Sequence, residues 1–223
     1  TRPFFHLDWS PDNGTLAYLI YDPSGDFKLR LFNVENSDSP VAHPYEAVDN
    51  FIWSPDGQMI AYSSKVADQL NVYLFDLRNN QSERLIMTGS HRPISWSPDG
   101  LFLALESSND GYETSFIEII DIVTQQSTTL TTGELCEARP IWSPDGQKIA
   151  YLTQTTPEID KLNWDLFILD RTTGQSYQLT STLGTMEYDL VWSPDGQQRA
   201  VTSWQQNADV AIFAIDIETK EVI

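Results

Sequence analysis

One five-residue segment, Trp-Ser-Pro-Asp-Gly, recurs along the chain and constrains its fold more than any other feature. Four identical copies begin at Trp53, Trp96, Trp142 and Trp192, and a fifth, Trp9–Asn13, ends in asparagine instead of glycine. Successive tryptophans are 44, 43, 46 and 50 residues apart. Self-similarity at a period of about 40–50 residues indicates a repeat architecture in which each repeat is one supersecondary unit.

The segment has the composition of a tight turn that follows a buried strand. Tryptophan supplies a large apolar anchor, the serine hydroxyl suits the first turn position, and proline is favoured at the second position of a type I turn. We expect the last position to need a positive φ, as in a hairpin with a bulge. Asn13 supports this expectation, because asparagine tolerates that conformation better than most other residues.

The repeat continues beyond the turn. Eight residues after each tryptophan stands an alanine: Ala17, Ala61, Ala104, Ala150 and Ala200. A third apolar run in each repeat ends at an acidic or amide residue: Asn33, Asp76, Asp121, Asp170 and Asp216. With the run that carries the tryptophan and a short fourth run, the repeat contains four strand-length segments. Four strands at this period predict propeller blades, whereas a helical solenoid lacks support because no sustained 3.6-residue stripe occurs.

The fold predicted is therefore all-β, a β-propeller of four-stranded antiparallel blades in one domain over residues 1–223. Five blades are visible, at approximately 1–44, 45–90, 91–136, 137–184 and 185–223. The last is truncated, because Ile223 aligns with Tyr177 in the middle of the outer strand, and we expect a longer parent polypeptide. We also expect the five repeated tryptophans to be buried between blades, and the alanines to be buried where neighbouring sheets come close.

The formal net charge of −19 on 223 residues disfavours the polyanionic partners, nucleic acid and anionic membrane. No apolar run approaches the roughly 18–20 residues of a membrane span, so direct membrane insertion is not expected. The simplest interpretation of the negative charge is a soluble surface rich in carboxylates, with no role in binding.

The stretches Val191–Gly196 and Pro140–Tyr151 closely resemble the WD40-like PD40 repeat, the blade motif of the TolB β-propeller. The resemblance covers nearly the whole chain. It implies that the tryptophan strand is innermost, that the Ser-Pro-Asp-Gly turns share one face, and that the loops before the tryptophan strands lie on the other face. Similar blades occur in prolyl oligopeptidase-type and dipeptidyl peptidase-type serine peptidases, so the resemblance specifies the fold more than the function.

Catalytic motifs are not found in the sequence. It has no Gly-x-Ser-x-Gly elbow, no phosphate-binding loop and no EF-hand, and its single cysteine excludes a cysteine-rich zinc site. The three histidines are His6, His43 and His91. His6 and His91 each precede a tryptophan strand, so a metal site formed by these two remains an alternative. We assign no catalytic, cofactor or metal residue, and expect the repeated aspartates to cap their own turns.

Residues that differ between blades are the better candidates for recognition, because repetition does not explain them. They precede the tryptophan strands or lie in longer loops on the same face, and a rim of carboxylates with a few aromatics suits a peptide or a basic segment. The candidate partner-binding residues are Glu46, Asp49, His91, Arg92, Tyr112, Glu137, Arg139, Glu187, Tyr188, Asp189 and Trp204. The alternative is a solvated charged rim.

The sequence therefore favours a non-enzymatic protein- or peptide-binding module that resembles the TolB propeller and binds near the axis of the loop face. Two alternatives stay open: the gating propeller of a prolyl oligopeptidase-like peptidase whose catalytic domain is absent from this sequence, and a propeller lyase acting on carbohydrate. The family resemblance implies a periplasmic or extracellular location, with the cytoplasm left open.

Overall fold

The structure, a computed structural model, describes residues 6–21, 23, 25–35, 41–42, 47–85, 89–108, 114–155, 164–181, 185–196, 198–205 and 211–221. Side chains are not described at 41–42, 185–189, 198–205 and 211–213. Every regular element in these ranges is a β-strand, and no helix there is long and apolar enough to cross a membrane. The strands divide between two compact units, residues 1–96 and 97–223.

The first unit contains two complete antiparallel four-stranded sheets, ordered β1-β2-β3-β4 and β5-β6-β7-β8, followed by strand β9. Its strands are β1 Leu7–Trp9, β2 Thr15–Tyr21, β3 Phe27–Asn33, β4 Val41–Ala42, β5 Val48–Trp53, β6 Met59–Val66, β7 Gln69–Asp76, β8 Gln81–Arg84 and β9 Ser90–Trp96. The core of this unit joins Leu19 and Leu29 of the first sheet to Phe51, Tyr62 and Phe75 of the second.

The second unit continues the same plan. Its strands are β10 Phe102–Ser108, β11 Phe116–Asp121, β12 Ser127–Thr129, β13 Glu137–Trp142, β14 Lys148–Gln154, β15 Trp164–Asp170, β16 Ser176–Gln178, β17 Thr185–Trp192, β18 Gln198–Gln205 and β19 Ala211–Asp216. The third sheet has the order β9-β10-β11-β12. The fourth and fifth sheets, β13 to β16 and β17 to β19, join into one sheet of seven strands because Trp164 and Met186 make a single parallel pairing.

The predicted strand pattern is confirmed. In the second sheet, for example, Ala61 pairs with Ile52 on one side and Leu74 on the other. Neighbouring sheets pack through the apolar side chains between them, as where Ile117 of the third sheet meets Tyr151 and Leu169 of the fourth. The antiparallel four-stranded sheets are those of a β-propeller.

The repeated turns have the predicted geometry. Gly57, Gly146 and Gly196 have φ values of 68°, 69° and 74°, and Asn13, which replaces glycine, has a φ of 60°. The Gly57 N–H donates to the carbonyl of Ser54 at 2.9 Å, which closes the turn. The asparagine at position 13 is therefore explained by the left-handed conformation that this position requires.

Four of the five repeated tryptophans are buried, but the prediction for Trp9 is wrong: 48% of Trp9 is exposed. The Trp53 indole donates a long hydrogen bond of 3.4 Å to the carbonyl of Asp8, and the Trp192 indole donates to Ile141 at 3.1 Å. Each thus packs on the preceding tryptophan strand. No strand precedes β1 in the described part of the first unit, so Trp9 has no such cover there. Ala17, Ala61, Ala104 and Ala150 are fully buried, as predicted.

Candidate functional site

The tryptophan strands are irregular where they begin. Pairing registers shift between Val48 and Asn50 in β5, between Ala138 and Ile141 in β13, and between Glu187 and Leu190 in β17. The candidate recognition residues Asp49, Arg139, Tyr188 and Asp189 occupy these three irregularities. A bulge bends its strand and redirects side chains, and bulges are over-represented beside functional sites. We call these segments the bulged strand starts.

In the first unit, the bulged start of β5 lies beside the start of β9. Arg92 Nε donates to Asp49 Oδ2 at 2.7 Å, and about one third of each side chain is exposed (34% and 37%). Asn50 Nδ2 donates to the carbonyl of Pro93 at 2.8 Å. Two candidate residues from different sheets, Asp49 and Arg92, are therefore held together in an accessible ion pair.

The two described histidines pack against other residues and do not lie exposed on a rim. His91 is 5% exposed, and the imidazole of His6 stacks on the ring of Phe51 at a centroid distance of 4.3 Å. Among the residues whose side chains are described, no three from His, Cys, Asp and Glu form a group that could hold a metal ion. His43 lies outside the described residues, so the metal alternative gains no support from the described histidines.

In the second unit, Arg139 is exposed and has a φ of 54°. Its N–H donates to Glu106 Oε2 at 3.3 Å, so the carboxylate from strand β10 contacts the bulge of β13. A positive φ is uncommon for a residue other than glycine and is a reason to look for function. The sequence did not single out Glu106, because only the register places it beside Arg139.

Glu137, two residues before this bulge, is buried, with 7% of its surface exposed. Its Oε2 accepts a hydrogen bond from Thr131 Oγ1, and its carbonyl accepts one from Ser115 Oγ at 2.8 Å. Burial raises the pKa of the Glu137 carboxyl, while the Thr131 hydroxyl opposes that rise. Glu137 is therefore a poor candidate for direct contact with a partner.

The remaining candidates are less fully described. The backbone of Glu187, Tyr188 and Asp189 forms the bulged start of β17, and Trp204 in β18 pairs with Met186. The side chains of these four candidates are not described. Glu46 and Tyr112 lie outside the described residues. The structure thus brings together Asp49 and Arg92 in the first unit, whereas in the second it buries Glu137 and leaves Arg139 exposed.

At the opposite end of each tryptophan strand, the polar side chains are used within their own turn. Ser54 Oγ donates to Asp56 Oδ1 at 2.7 Å, and Asp56 Oδ1 accepts the N–H of Gln58 at 3.0 Å. These two hydrogen bonds lower the pKa of Asp56. The same serine–aspartate bond closes the other four turns, at 2.5 to 2.6 Å. The aspartates that end the third strands cap turns too, and Arg78 lowers the pKa of Asp76 to about 2.

A known protein family matches most of this chain. The PD40 family, described as the TolB beta propeller domain, matches residues 1–183. This chain belongs to the PD40 family. The serine and aspartate of the repeated turns belong to the PD40 repeat, while the residues at the bulged strand starts differ from blade to blade.

Curated relatives of this PD40 chain include both a Tol system protein and a peptidase. "Tol-Pal system protein TolB" of Francisella tularensis is 24% identical over 160 residues, which cover 70% of this chain and 36% of TolB. "Dipeptidyl-peptidase 5" of Porphyromonas gingivalis is 26% identical over 151 residues, covering 61% of this chain and 21% of the peptidase. The chain thus spans about a fifth to a third of these relatives.

Solved structures share the PD40 fold at low sequence identity. TolB from Acinetobacter baumannii superposes with a TM-score of 0.70 at 21% identity, covering 94% of this chain and 52% of that one. An oligogalacturonate lyase in complex with manganese gives a TM-score of 0.74 at 16% identity, covering 96% and 62%. At these identities the likeness shows the fold alone.

Proposed function

We propose that this chain is a non-enzymatic module that binds a protein or peptide through the bulged starts of its tryptophan strands. The observation that carries the proposal is the coincidence of two features. The pairing register breaks at the start of β5, β13 and β17, and the residues at those breaks, such as Asp49, Arg139 and Tyr188, differ between repeats. Redirected, non-repeated side chains suit selective recognition.

The other end of the tryptophan strands is a weaker candidate for recognition. There the serine and aspartate side chains are hydrogen-bonded within their own turns, as Ser143 is to Asp145 at 2.6 Å. Their chemistry is nearly the same in every repeat, so they offer little to distinguish one partner from another. The relatives named TolB belong to a "Tol-Pal system", which supports a protein partner in general.

The charges at the bulged starts, together with Arg92 of the neighbouring strand β9, favour a cationic or amide-rich partner segment. Asp49, Glu187 and Asp189 are acidic, and Arg92 and Arg139 only partly offset them within a chain of net charge −19. Complementary charge speeds encounter between partners, and salt screens it. Tyr188 and Trp204 are the candidate anchors in the second unit, because aromatic residues often dominate interface energies.

The test uses a phage-displayed library of unconstrained peptides, selected on the intact chain at low salt. The selected peptides are then measured against Asp49→Lys and against Glu187→Lys combined with Asp189→Lys. We expect the peptides to be cationic, and we expect at least one of these variants to lose about tenfold in affinity, roughly 1.4 kcal/mol. The loss is expected to shrink as salt rises, because the interaction is screened.

Matched controls carry the same charge reversal at the turn end. Glu35→Lys in the first unit and Glu218→Lys in the second change exposed residues that follow the third strands. If these controls abolish peptide binding while the variants at the bulged starts retain it, the proposed surface is wrong. Circular dichroism of each variant establishes that the sheets remain folded.

A second candidate function, the gating propeller of a serine peptidase, is favoured by one specific observation. The match to "Dipeptidyl-peptidase 5" covers 61% of this chain but only 21% of the peptidase. A Gly-x-Ser-x-Gly elbow in the polypeptide that carries this propeller would support it. The lyase alternative rests on likeness of fold only.

We also propose a periplasmic location, in line with the resemblance to the TolB propeller. A fusion of alkaline phosphatase to the full polypeptide tests this proposal, because the reporter folds only where its disulfides can form. An inactive fusion that is well expressed would place the protein in the cytoplasm.

A further inference from the structure

Three polar residues stand in one row across the fourth sheet. Glu137 of β13 pairs with Thr153 of β14, and Thr153 pairs with Asp165 of β15. Residues directly opposite in neighbouring strands project to the same face, with Cβ atoms about 5 Å apart. All three are buried, with exposed fractions of 7%, 3% and 2%. Two carboxyl groups thus flank one threonine in the interior.

The threonine in the middle has no internal partner. Thr153 Oγ1 is buried and makes no hydrogen bond to any described residue. Its neighbours, in contrast, are engaged: Glu137 accepts from Thr131, and Asp165 Oδ2 accepts from Thr155 Oγ1 at 2.6 Å and from Gln178 Nε2 at 3.0 Å. A buried hydroxyl without a partner costs about 1–3 kcal/mol, so its position between two carboxyl groups suggests a ligand.

The fold itself does not require this polar row. The equivalent row in the second sheet, counted from Trp53, consists of Val48, Ser64 and Asn71 and contains no carboxylate. Val48 stands where Glu137 stands, and it is almost completely buried. The first residue of the row is therefore an apolar packing position in one sheet and an acid in the other.

We propose that Glu137, Thr153 and Asp165 bind a hard cation of the calcium type between the third and fourth sheets. Carboxylate and hydroxyl oxygens are ligands for such ions, and Ca²⁺ accepts six to eight oxygens at about 2.3–2.6 Å in flexible geometry. The row has no nitrogen or sulfur ligand, so it does not suit zinc or copper. Waters and neighbouring backbone carbonyls complete the coordination. A cation here would also offset the cost of burying the charged form of Glu137.

The test is a titration of the intact chain with Ca²⁺. Calorimetry measures the heat of binding, and the melting temperature of the chain is measured at each Ca²⁺ concentration. Tb³⁺ serves as a luminescent probe for the same site, sensitised by Tyr151 and Trp164, which belong to the strands of the row. We expect one equivalent of Ca²⁺ to bind, with a dissociation constant on the order of 10⁻⁴ M and a raised melting temperature.

Thr153→Val is the decisive variant, because it removes the hydroxyl while keeping the shape and the strand preference of the residue. We expect it and Glu137→Gln to weaken Ca²⁺ binding about tenfold or more, in the range seen for changes around metal ligands. Glu218→Gln is the matched control, since Glu218 is exposed and follows the last strand, β19. It removes a charge outside the row and is expected to bind as the unchanged chain does.

Two outcomes would overturn the proposal. One is the absence of any heat, melting shift or Tb³⁺ luminescence at millimolar ion concentration, which would leave the row to hold a structural water. The other is undiminished binding in both Thr153→Val and Glu137→Gln, which would place the ion elsewhere on this acidic chain. Thr153→Val is expected to fold in either case, and its circular dichroism tests that.

Discussion

The two ends of each tryptophan strand use similar polar residues in different ways. At the turn end, Ser143 and Asp145 are hydrogen-bonded to each other and to the backbone, so their side chains are used to define the chain path. At the start, the register breaks, and Asp49 and Arg92 reach across to a different strand. The first arrangement is repeated in every blade and the second is not. Repetition thus identifies residues that build the fold, and its loss identifies candidates for recognition.

The largest expected effect is at the turn end, in the tryptophan that anchors it. Trp142 is 5% exposed, and its ring lies 6.2 Å from Phe102 and beneath the guanidinium of Arg171. Trp142→Ala is expected to cost about 3–5 kcal/mol of unfolding free energy, measured by urea denaturation. Trp9→Ala is the comparison, because Trp9 is half exposed, and its cost is expected to stay below about 2 kcal/mol. Equal losses would contradict the packing described for Trp142.

A smaller effect is expected from overfilling the strand between the two ends. Ala150 is fully buried between Ile141 and Ile168. Ala150→Leu is expected to destabilise by about 1–3 kcal/mol, because a closely packed interior has no room for the added atoms. Ala138→Leu, at the bulged start and only half buried, is the matched change. If Ala138→Leu proved the more costly of the two, the bulged start would be the tighter region.

The turn hydrogen bonds predict a dependence on acid. Donation from the Ser143 hydroxyl, and then from the Gln147 N–H, lowers the pKa of Asp145. A carboxyl whose pKa is lower when folded adds stability above its ordinary pKa of 3.8, and this stability is lost as the pH falls through the folded value. Ser143→Ala is therefore expected to cost about 1 kcal/mol at neutral pH.

The difference in unfolding free energy between Ser143→Ala and the unchanged chain should become smaller in acid, because protonation of Asp145 removes the charge that the Ser143 hydroxyl stabilises. Urea denaturation from pH 7 downward measures this convergence. Part of the gap remains, since Ser143 Oγ also accepts the N–H of Lys148 at 2.8 Å. Ser127→Ala, on an exposed outer strand, controls for loss of a hydroxyl. A gap that is constant with pH would show that the Ser143–Asp145 bond contributes nothing to the low pKa.

The smallest effect on stability is expected at the bulged start. Asp49 and Arg92 are each about one third exposed, and exposed ion pairs typically contribute below about 1 kcal/mol. A double-mutant cycle of Asp49→Ala and Arg92→Ala should therefore give a coupling energy below about 1 kcal/mol. A larger coupling would mean that this pair supports the fold, which would weaken its candidacy for recognition.

The sequence predicted the repeated features well because each repeat is local. The turn geometry, including the conformation of Asn13, depends on five consecutive residues, and the buried alanines follow at a constant interval. Trp9 was predicted wrongly because the burial of a tryptophan depends on a covering strand, which the five-residue motif does not contain. The environment of a repeated residue is set by its neighbours in space as well as by its motif.

The bulged starts were only partly predictable. The sequence singled out Asp49 and Arg139 by their variation, but not the burial of Glu137. That burial could have been predicted by aligning the repeats on their tryptophans, because Glu137 then occupies the position of the apolar Val48. The row formed with Thr153 and Asp165 was not accessible, because a bulge shifts the register by an amount that sequence spacing does not reveal.

The repeated turns also touch one another, and this has an evolutionary consequence. A side chain at Gly57 would meet Pro11 at 3.3 Å, and one at Gly146 or Gly196 would meet Pro98 or Pro144 at 3.6 Å. The glycine of each of these turns thus faces the proline of the turn one repeat earlier. Gene duplication that adds or deletes a whole repeat preserves this contact, whereas an insertion inside the five-residue segment breaks it on both sides. Lineages carrying such propellers are therefore expected to change length in steps of one complete repeat, with smaller insertions confined to the segments between turns.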